Sequence, residues 1–185
     1  MRLRGRLLTL VAVGVLVPSA VKAQSSVIMR AAVSETVTIS VPPVSIDGVE
    51  MSVVSSGGTV RIMLSGSGAK SQIIRLPLLV RSNTSFKISA LFESNTAELS
   101  QLLVADAQPT GTLVSPQVVN ALKRYPHVDP NTSQPWLVLS GPRVSFGGTL
   151  NSPNNALQIN MLIRLSPQPD QPWTAQLNLV ATKQL

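Results

Sequence analysis

The chain of 185 residues carries 15 Lys and Arg against 8 Asp and Glu, with one His and no Cys. Without cysteine it has neither disulfides nor thiolate ligands, and a single His is too few for a zinc site. Four of the cations lie in the first 23 residues, so residues 24–185 hold eleven cations (15 − 4) against eight anions. These cations are scattered singly apart from Lys123-Arg124, a distribution that predicts no nucleic-acid partner.

The first 23 residues have the pattern of a secretory signal peptide. Three arginines within the first six residues precede an apolar run over 7–17, and Val21-Lys22-Ala23 places small residues before Gln24. The apolar run is too short to cross a bilayer, which takes about 20 residues. We expect cleavage after Ala23 and export to the periplasm, the cell surface or the medium. Residues 24–185 then form a single domain with no transmembrane segment, and the lack of cysteine favours a bacterial source.

Apolar residues alternate with polar ones in short segments through the first half of this domain, as in antiparallel strands. The predicted strands are Val37–Val41, which ends at Pro42-Pro43, then Val49–Val54, Thr59–Leu64, Ile73–Arg81 and Ser85–Leu91. The second and third are predicted to form a hairpin, and so are the fourth and fifth, around Ser82-Asn83-Thr84. Pro77 indicates that its backbone nitrogen lies at a sheet edge or a bulge.

The middle of the chain is less regular. Residues 95–107 are compatible with a short helix and equally with a strand. Five prolines between Pro109 and Pro135 predict a long surface excursion with at most one helical turn, around Gln117–Lys123. Alternation then resumes in four predicted strands, Trp136–Ser140, Arg143–Leu150, Ala156–Leu165 and Trp173–Thr182. The fold class that follows is all-β, a two-sheet antiparallel β-sandwich, with a closed barrel as the alternative.

Reactive groups are few, and the sequence predicts no catalytic residue, no cofactor and no metal site. His127 lies in a proline-rich loop, and no nucleophile elbow accompanies it. The carboxylates are spread singly along the chain, at Glu35, Asp47, Glu50, Glu93, Glu98, Asp106, Asp129 and Asp170. Sugar hydrolysis would need two of them to converge. The protein is therefore expected not to be an enzyme.

One alternative function uses the proline-rich excursion as the rim of a carbohydrate or small-ligand site, in a binding module or a hydrolase. The candidate rim residues are Asp106, Tyr125, His127, Asp129 and Trp136. Trp136 and Trp173 each follow a proline at the start of a predicted strand. They either expose an aromatic pair to a ligand or cover the ends of the sandwich core, and the alternation after each favours the core.

Two segments, Leu78–Ala90 and Pro172–Ala181, resemble exported bacterial immunoglobulin-like sandwiches, including pilin-type and cell-surface domains. The resemblance implies an immunoglobulin-like sandwich, and it carries no functional residue onto this chain. The leading hypothesis is a structural or interaction protein of the bacterial envelope, a surface or fimbria-like subunit that binds a protein partner or itself. Its candidate strand donor, just behind the signal peptide, has apolar residues at Val33, Val37, Ile39 and Val41. The alternative is that this segment is the first strand of its own domain.

Overall fold

The computed structural model describes residues 36–110, 115–126, 134–144, 156–169 and 171–184. In these ranges the elements follow in the order β1 Val37–Ser40, β2 Val49–Ser56, β3 Thr59–Gly66, β4 Gln72–Ser82, β5 Phe86–Ser94, β6 Ala97–Thr110, α1 Pro116–Asn120, β7 Lys123–Arg124, β8 Trp136–Gly141, β9 Ala156–Pro167 and β10 Trp173–Lys183.

The strands form two sheets. The four-stranded sheet has the order β1-β4-β9-β6, and the six-stranded sheet has the order β2-β3-β10-β5-β8-β7. All neighbours in both sheets are antiparallel. Neither sheet closes on itself, so the predicted two-sheet sandwich is confirmed and the barrel alternative is wrong. In the described part of the chain, no helix has the length and apolar character needed to span a membrane.

The core lies between the sheets, where the alternation of each strand places its apolar residues. On β3, Val60, Ile62 and Leu64 are buried, while Arg61 and Met63 are exposed on the outer face. Three other predicted strands bury the apolar residues of their alternating pattern in the same way. Those inward residues are Phe86, Ile88 and Ala90 on β5, Leu157, Ile159, Met161 and Ile163 on β9, and Trp173, Ala175, Leu177, Leu179 and Ala181 on β10.

The predicted hairpin between β2 and β3 is confirmed. The two strands pair from Val49 opposite Gly66 to Ser56 opposite Thr59, around the two-residue turn Gly57-Gly58. Gly57 has a φ of 56°, which places glycine at the first central position of the turn, as a type II′ hairpin turn requires.

The predicted hairpin between β4 and β5 is wrong, because these strands belong to different sheets. The hydroxyl of the buried Ser82 donates to the carbonyl of Thr84 (2.6 Å), and this local turn carries the chain across the core. The Ser82 carbonyl accepts from the Val144 N–H (3.0 Å), and the Asn83 N–H donates to the carbonyl of Thr36 (3.2 Å). The backbone of the turn therefore pairs with segments other than β5.

In the middle of the chain, the strand alternative for residues 95–107 is the one the structure shows, as β6. Helix α1 supplies the single helical turn, beginning one residue before the predicted position. The predicted strand Arg143–Leu150 lies mostly outside the described residues, and its first two residues are not in a strand.

Candidate functional site

The described residues of the candidate ligand rim do not come together in one site. The Tyr125 ring is half-buried at the edge of the six-stranded sheet, with its hydroxyl 3.3 Å from the Ser140 Oγ. The Lys123 Nζ lies 5.1 Å from the centre of that ring, a cation–π contact. Trp136, in contrast, is 5% exposed and belongs to the hydrophobic core. His127 and Asp129 lie outside the described residues.

Both tryptophans pack in the core, which agrees with the second of the two interpretations of the sequence. Trp173 is 1% exposed at the start of β10, and neither indole presents a face to solvent. The described tryptophans therefore offer no stacking platform for a sugar ring.

The described carboxylates form no metal-binding cluster. No three residues among the described His, Asp and Glu lie close enough to hold a metal ion. A cavity of about 510 Å³ beside Trp173 is lined by a single carboxylate, Glu50, and a cavity of about 410 Å³ is lined by a single carboxylate, Asp106. Two others, of about 430 and 590 Å³, carry no carboxylate. None of these four cavities therefore has the pair of carboxylates that sugar hydrolysis requires.

Asp106, the third described residue of the candidate rim, lies on β6 in a setting that sequence reasoning did not predict. Asp106 lies where the pairing of β6 with β9 shifts by one residue, at a β-bulge. Its Oδ2 accepts from Gln108 Nε2 (3.3 Å), whereas its Oδ1 is buried with no hydrogen-bond partner in the described structure. Arg75 and Asn160 line the same cavity. A bulge depends on the partner strand, so the sequence of β6 alone gave no signal for it.

The candidate strand donor is paired within its own chain where the structure describes it. Val37 and Ile39 lie in β1, which pairs with β4 from Val37 opposite Ser82 to Ser40 opposite Leu79. Ile39 is buried, and Val37 and Val41 pack against the core. Val33 lies outside the described residues. This part of the segment is thus the first strand of its own sheet.

Strand β1 leaves most of its partner's edge open. It covers only Leu79–Ser82, while β4 pairs with β9 from Gln72 to Val80. Within the described part of the chain, the seven residues Gln72–Leu78 therefore have a neighbouring strand on one side only. We refer to Gln72–Leu78 as the open stretch.

The direction of one hydrogen bond shows which backbone groups of the open stretch point outward. Along a strand, successive residues direct their N–H and C=O to alternate edges. The N–H of Asn83 points to Thr36, so odd-numbered residues of β4 face the β1 side. The open stretch therefore presents two N–H groups, those of Ile73 and Arg75. It also presents three carbonyl groups, those of Ile73, Arg75 and Pro77. No backbone hydrogen bond from the described residues reaches these groups. Of the two predicted settings of the Pro77 nitrogen, an edge or a bulge, the described strands place it at an edge.

Comparison with known proteins finds no matching family model, no matching curated protein and no matching solved structure.

Proposed function

We propose that the protein is an exported, non-catalytic structural or interaction subunit of the bacterial envelope, and that it associates by strand addition at the open stretch of β4. The observation that carries this proposal is the backbone edge of Gln72–Leu78 beside the short strand β1, an edge that no other described strand pairs with. Exposed strand edges bind extended segments through main-chain hydrogen bonds, and alternate side chains give specificity.

The segment ahead of β1 has the composition of such an added strand. Val27, Met29, Ala31 and Val33 are apolar at alternate positions. We consider an added strand that continues the line of β1 and runs antiparallel to β4. If each of the four apolar residues lies opposite an even-numbered residue of β4, all four face the core, as the inward residues of β4 do. The intervening residues then provide the backbone groups that meet Ile73 and Arg75.

The occupant of the open stretch comes from a neighbouring copy, because the chain's own segment cannot reach it. Thr36 lies beside Asn83, five positions beyond Leu78, or about 17 Å along β4. The three residue steps from Val33 to Thr36 span at most about 11 Å. Strand β1 also lies between Thr36 and the open stretch.

A chain without residues 24–35 tests this proposal while keeping β1 and its buried Ile39. A synthetic peptide of residues 24–35 should bind the shortened protein, as measured by isothermal titration calorimetry, and a scrambled peptide should not. Ile73→Pro removes one outward N–H without touching the bonds to β9, so it should abolish peptide binding, whereas Ile73→Val should retain it. Absence of peptide binding, or equal binding to the Pro and Val variants, would contradict strand addition at this edge.

A further inference from the structure

The cavity of about 410 Å³ on the outer face of the four-stranded sheet combines two opposite charges with an amide. Its polar lining comes from Arg75 of β4, Asn160 of β9 and Asp106 of β6. The rest of its lining is apolar and consists of Ala105, Met161 and Leu162. Small-ligand sites have this composition, in which an apolar lining carries a few polar groups that fix the orientation of the ligand.

The strand register explains why these polar residues share one face. Asn160 stands opposite Asp106, and Arg75 stands opposite Leu162, the next outward residue of β9. The β-bulge in β6 is essential to this arrangement, because its extra residue shifts the alternation of the strand by one. Without the bulge, residue 106 would stand opposite Ile159 and its side chain would point into the core. The bulge therefore directs the Asp106 carboxylate toward the cavity face.

Neither of the two charges has an oppositely charged partner in the described part of the chain. Oδ2 of Asp106 accepts from Gln108, whereas Oδ1 is buried without a hydrogen bond. No ion pair joins this carboxylate to Arg75, whose side chain is exposed. The Asn160 Oδ1 accepts from Gln158 Nε2 (3.3 Å), so the amide nitrogen of Asn160 is available to donate. A buried carboxylate oxygen without a donor is unfavourable, and a bound group that supplies a donor would remove this cost.

We propose that this cavity binds a free aliphatic α-amino acid in its zwitterionic form. The α-ammonium group donates to the Asp106 carboxylate, and the α-carboxylate accepts from the Arg75 guanidinium, a pairing that two parallel hydrogen bonds can form. The Asn160 amide is a second donor for the α-carboxylate, and the half-buried Leu162 contacts the aliphatic side chain. The two charges of a zwitterion match the two charges of the cavity, whereas a simple anion or cation leaves one of them unpaired.

The zwitterion is tested with a ligand and two analogues that each lack one charge. L-Leucine should bind the purified protein of residues 24–185 in isothermal titration calorimetry. 4-Methylpentanoate lacks the ammonium group and 3-methylbutylamine lacks the carboxylate. Each analogue should bind at least about tenfold more weakly, because it loses charged hydrogen bonds. Absence of binding with L-leucine at about 10 mM, or equal affinity for the three compounds, would overturn the proposal.

The two charges of the cavity are tested by substitutions that keep the size of the side chain similar. Asp106→Asn and Arg75→Gln should each raise the Kd for L-leucine by at least about tenfold. Arg61→Gln, at an exposed position on the other sheet, is the control and should leave the Kd within about twofold, because salt screens distant exposed charges. Unchanged affinity in either cavity variant would overturn the proposal.

A cooperative thermal transition shows that each variant is folded. If Asp106→Asn does not unfold cooperatively, Arg75→Gln decides, since its side chain is exposed. This inference uses the side chain of Arg75, whereas strand addition uses its main chain, so neither depends on the other. Arg75→Gln retains the outward N–H of residue 75 and should still bind the peptide of residues 24–35, which separates the outcomes of the two tests.

Discussion

At the level of single residues, Gly66 and Trp173 pack closely at one end of the six-stranded sheet. The indole of Trp173 lies directly against Gly66, so that a Cβ added there would stand 2.6 Å from Cζ2 and 2.9 Å from Cε2. The same Cβ would lie 3.0 Å from the carbonyl oxygen of Gly48. A buried tryptophan cannot move aside easily because the core around it is close-packed.

Gly66→Ala should therefore destabilise the fold by about 1–3 kcal/mol, the usual range for overpacking a filled core. Urea unfolding followed by Trp fluorescence measures the change. Ser65→Ala, at the neighbouring position of the same strand, is the control, and it should cost less than about 0.5 kcal/mol. Equal stability of Gly66→Ala and the wild type would show that the indole has room to shift.

Sequence alternation predicted the burial of Trp173 but not its contact with Gly66. The residues after Trp173 repeat with period two, and this local pattern is sufficient to place its side chain in the core. Gly66 instead lies beyond the predicted strand Thr59–Leu64, in a Gly- and Ser-rich segment that predicts a loop. Its place at the end of β3, opposite Trp173, depends on the pairing of β3 with β10, which no local pattern specifies.

At the scale of elements, the sequence predicted individual strands better than their partners. The existence of β2, β3, β9 and β10 followed from alternation, and the β2–β3 hairpin followed from its short glycine turn. The predicted β4–β5 pairing was wrong because Ser82-Asn83-Thr84 resembles a hairpin turn locally. The two strands instead bury their apolar residues by lying in the two facing sheets.

The open stretch was predictable only in part. Pro42-Pro43 ends β1 and Pro77 marks an edge, but the length left uncovered depends on the register of β1 with β4.

Pro77 also protects this edge, since it removes one outward donor from an otherwise regular strand. Pro77→Val should supply a third outward N–H beside those of Ile73 and Arg75. We expect tighter binding of the peptide of residues 24–35, by about threefold to tenfold for one added hydrogen bond. Thermal stability should change little, because the nitrogen points away from β9. Pro169→Val, in an exposed turn, is the control, and a Pro77→Val variant with unaltered peptide affinity would contradict the outward direction of this nitrogen.

At the scale of the whole molecule, residues 156–183 supply an interior strand to each of the two sheets. Strand β9 lies between β4 and β6 in one sheet, and β10 lies between β3 and β5 in the other. Among the described strands, β4 and β6 are therefore joined only through residues 156–167, and the β2–β3 hairpin is joined to β5 only through residues 173–183. Such non-local pairing makes folding slow and leaves edges exposed until the chain is complete.

A chain that ends at residue 155 should consequently fail to fold, although it retains eight of the ten described strands. Without β9, β6 has no partner in its sheet, and without β10 the β2–β3 hairpin is separated from β5. An isolated two-stranded hairpin is at best marginally stable in water. Circular dichroism should show no cooperative thermal transition for this shortened chain, whereas the chain without residues 24–35 should unfold cooperatively. A cooperative transition in the chain ending at residue 155 would show that one of the sheets forms without its central strand.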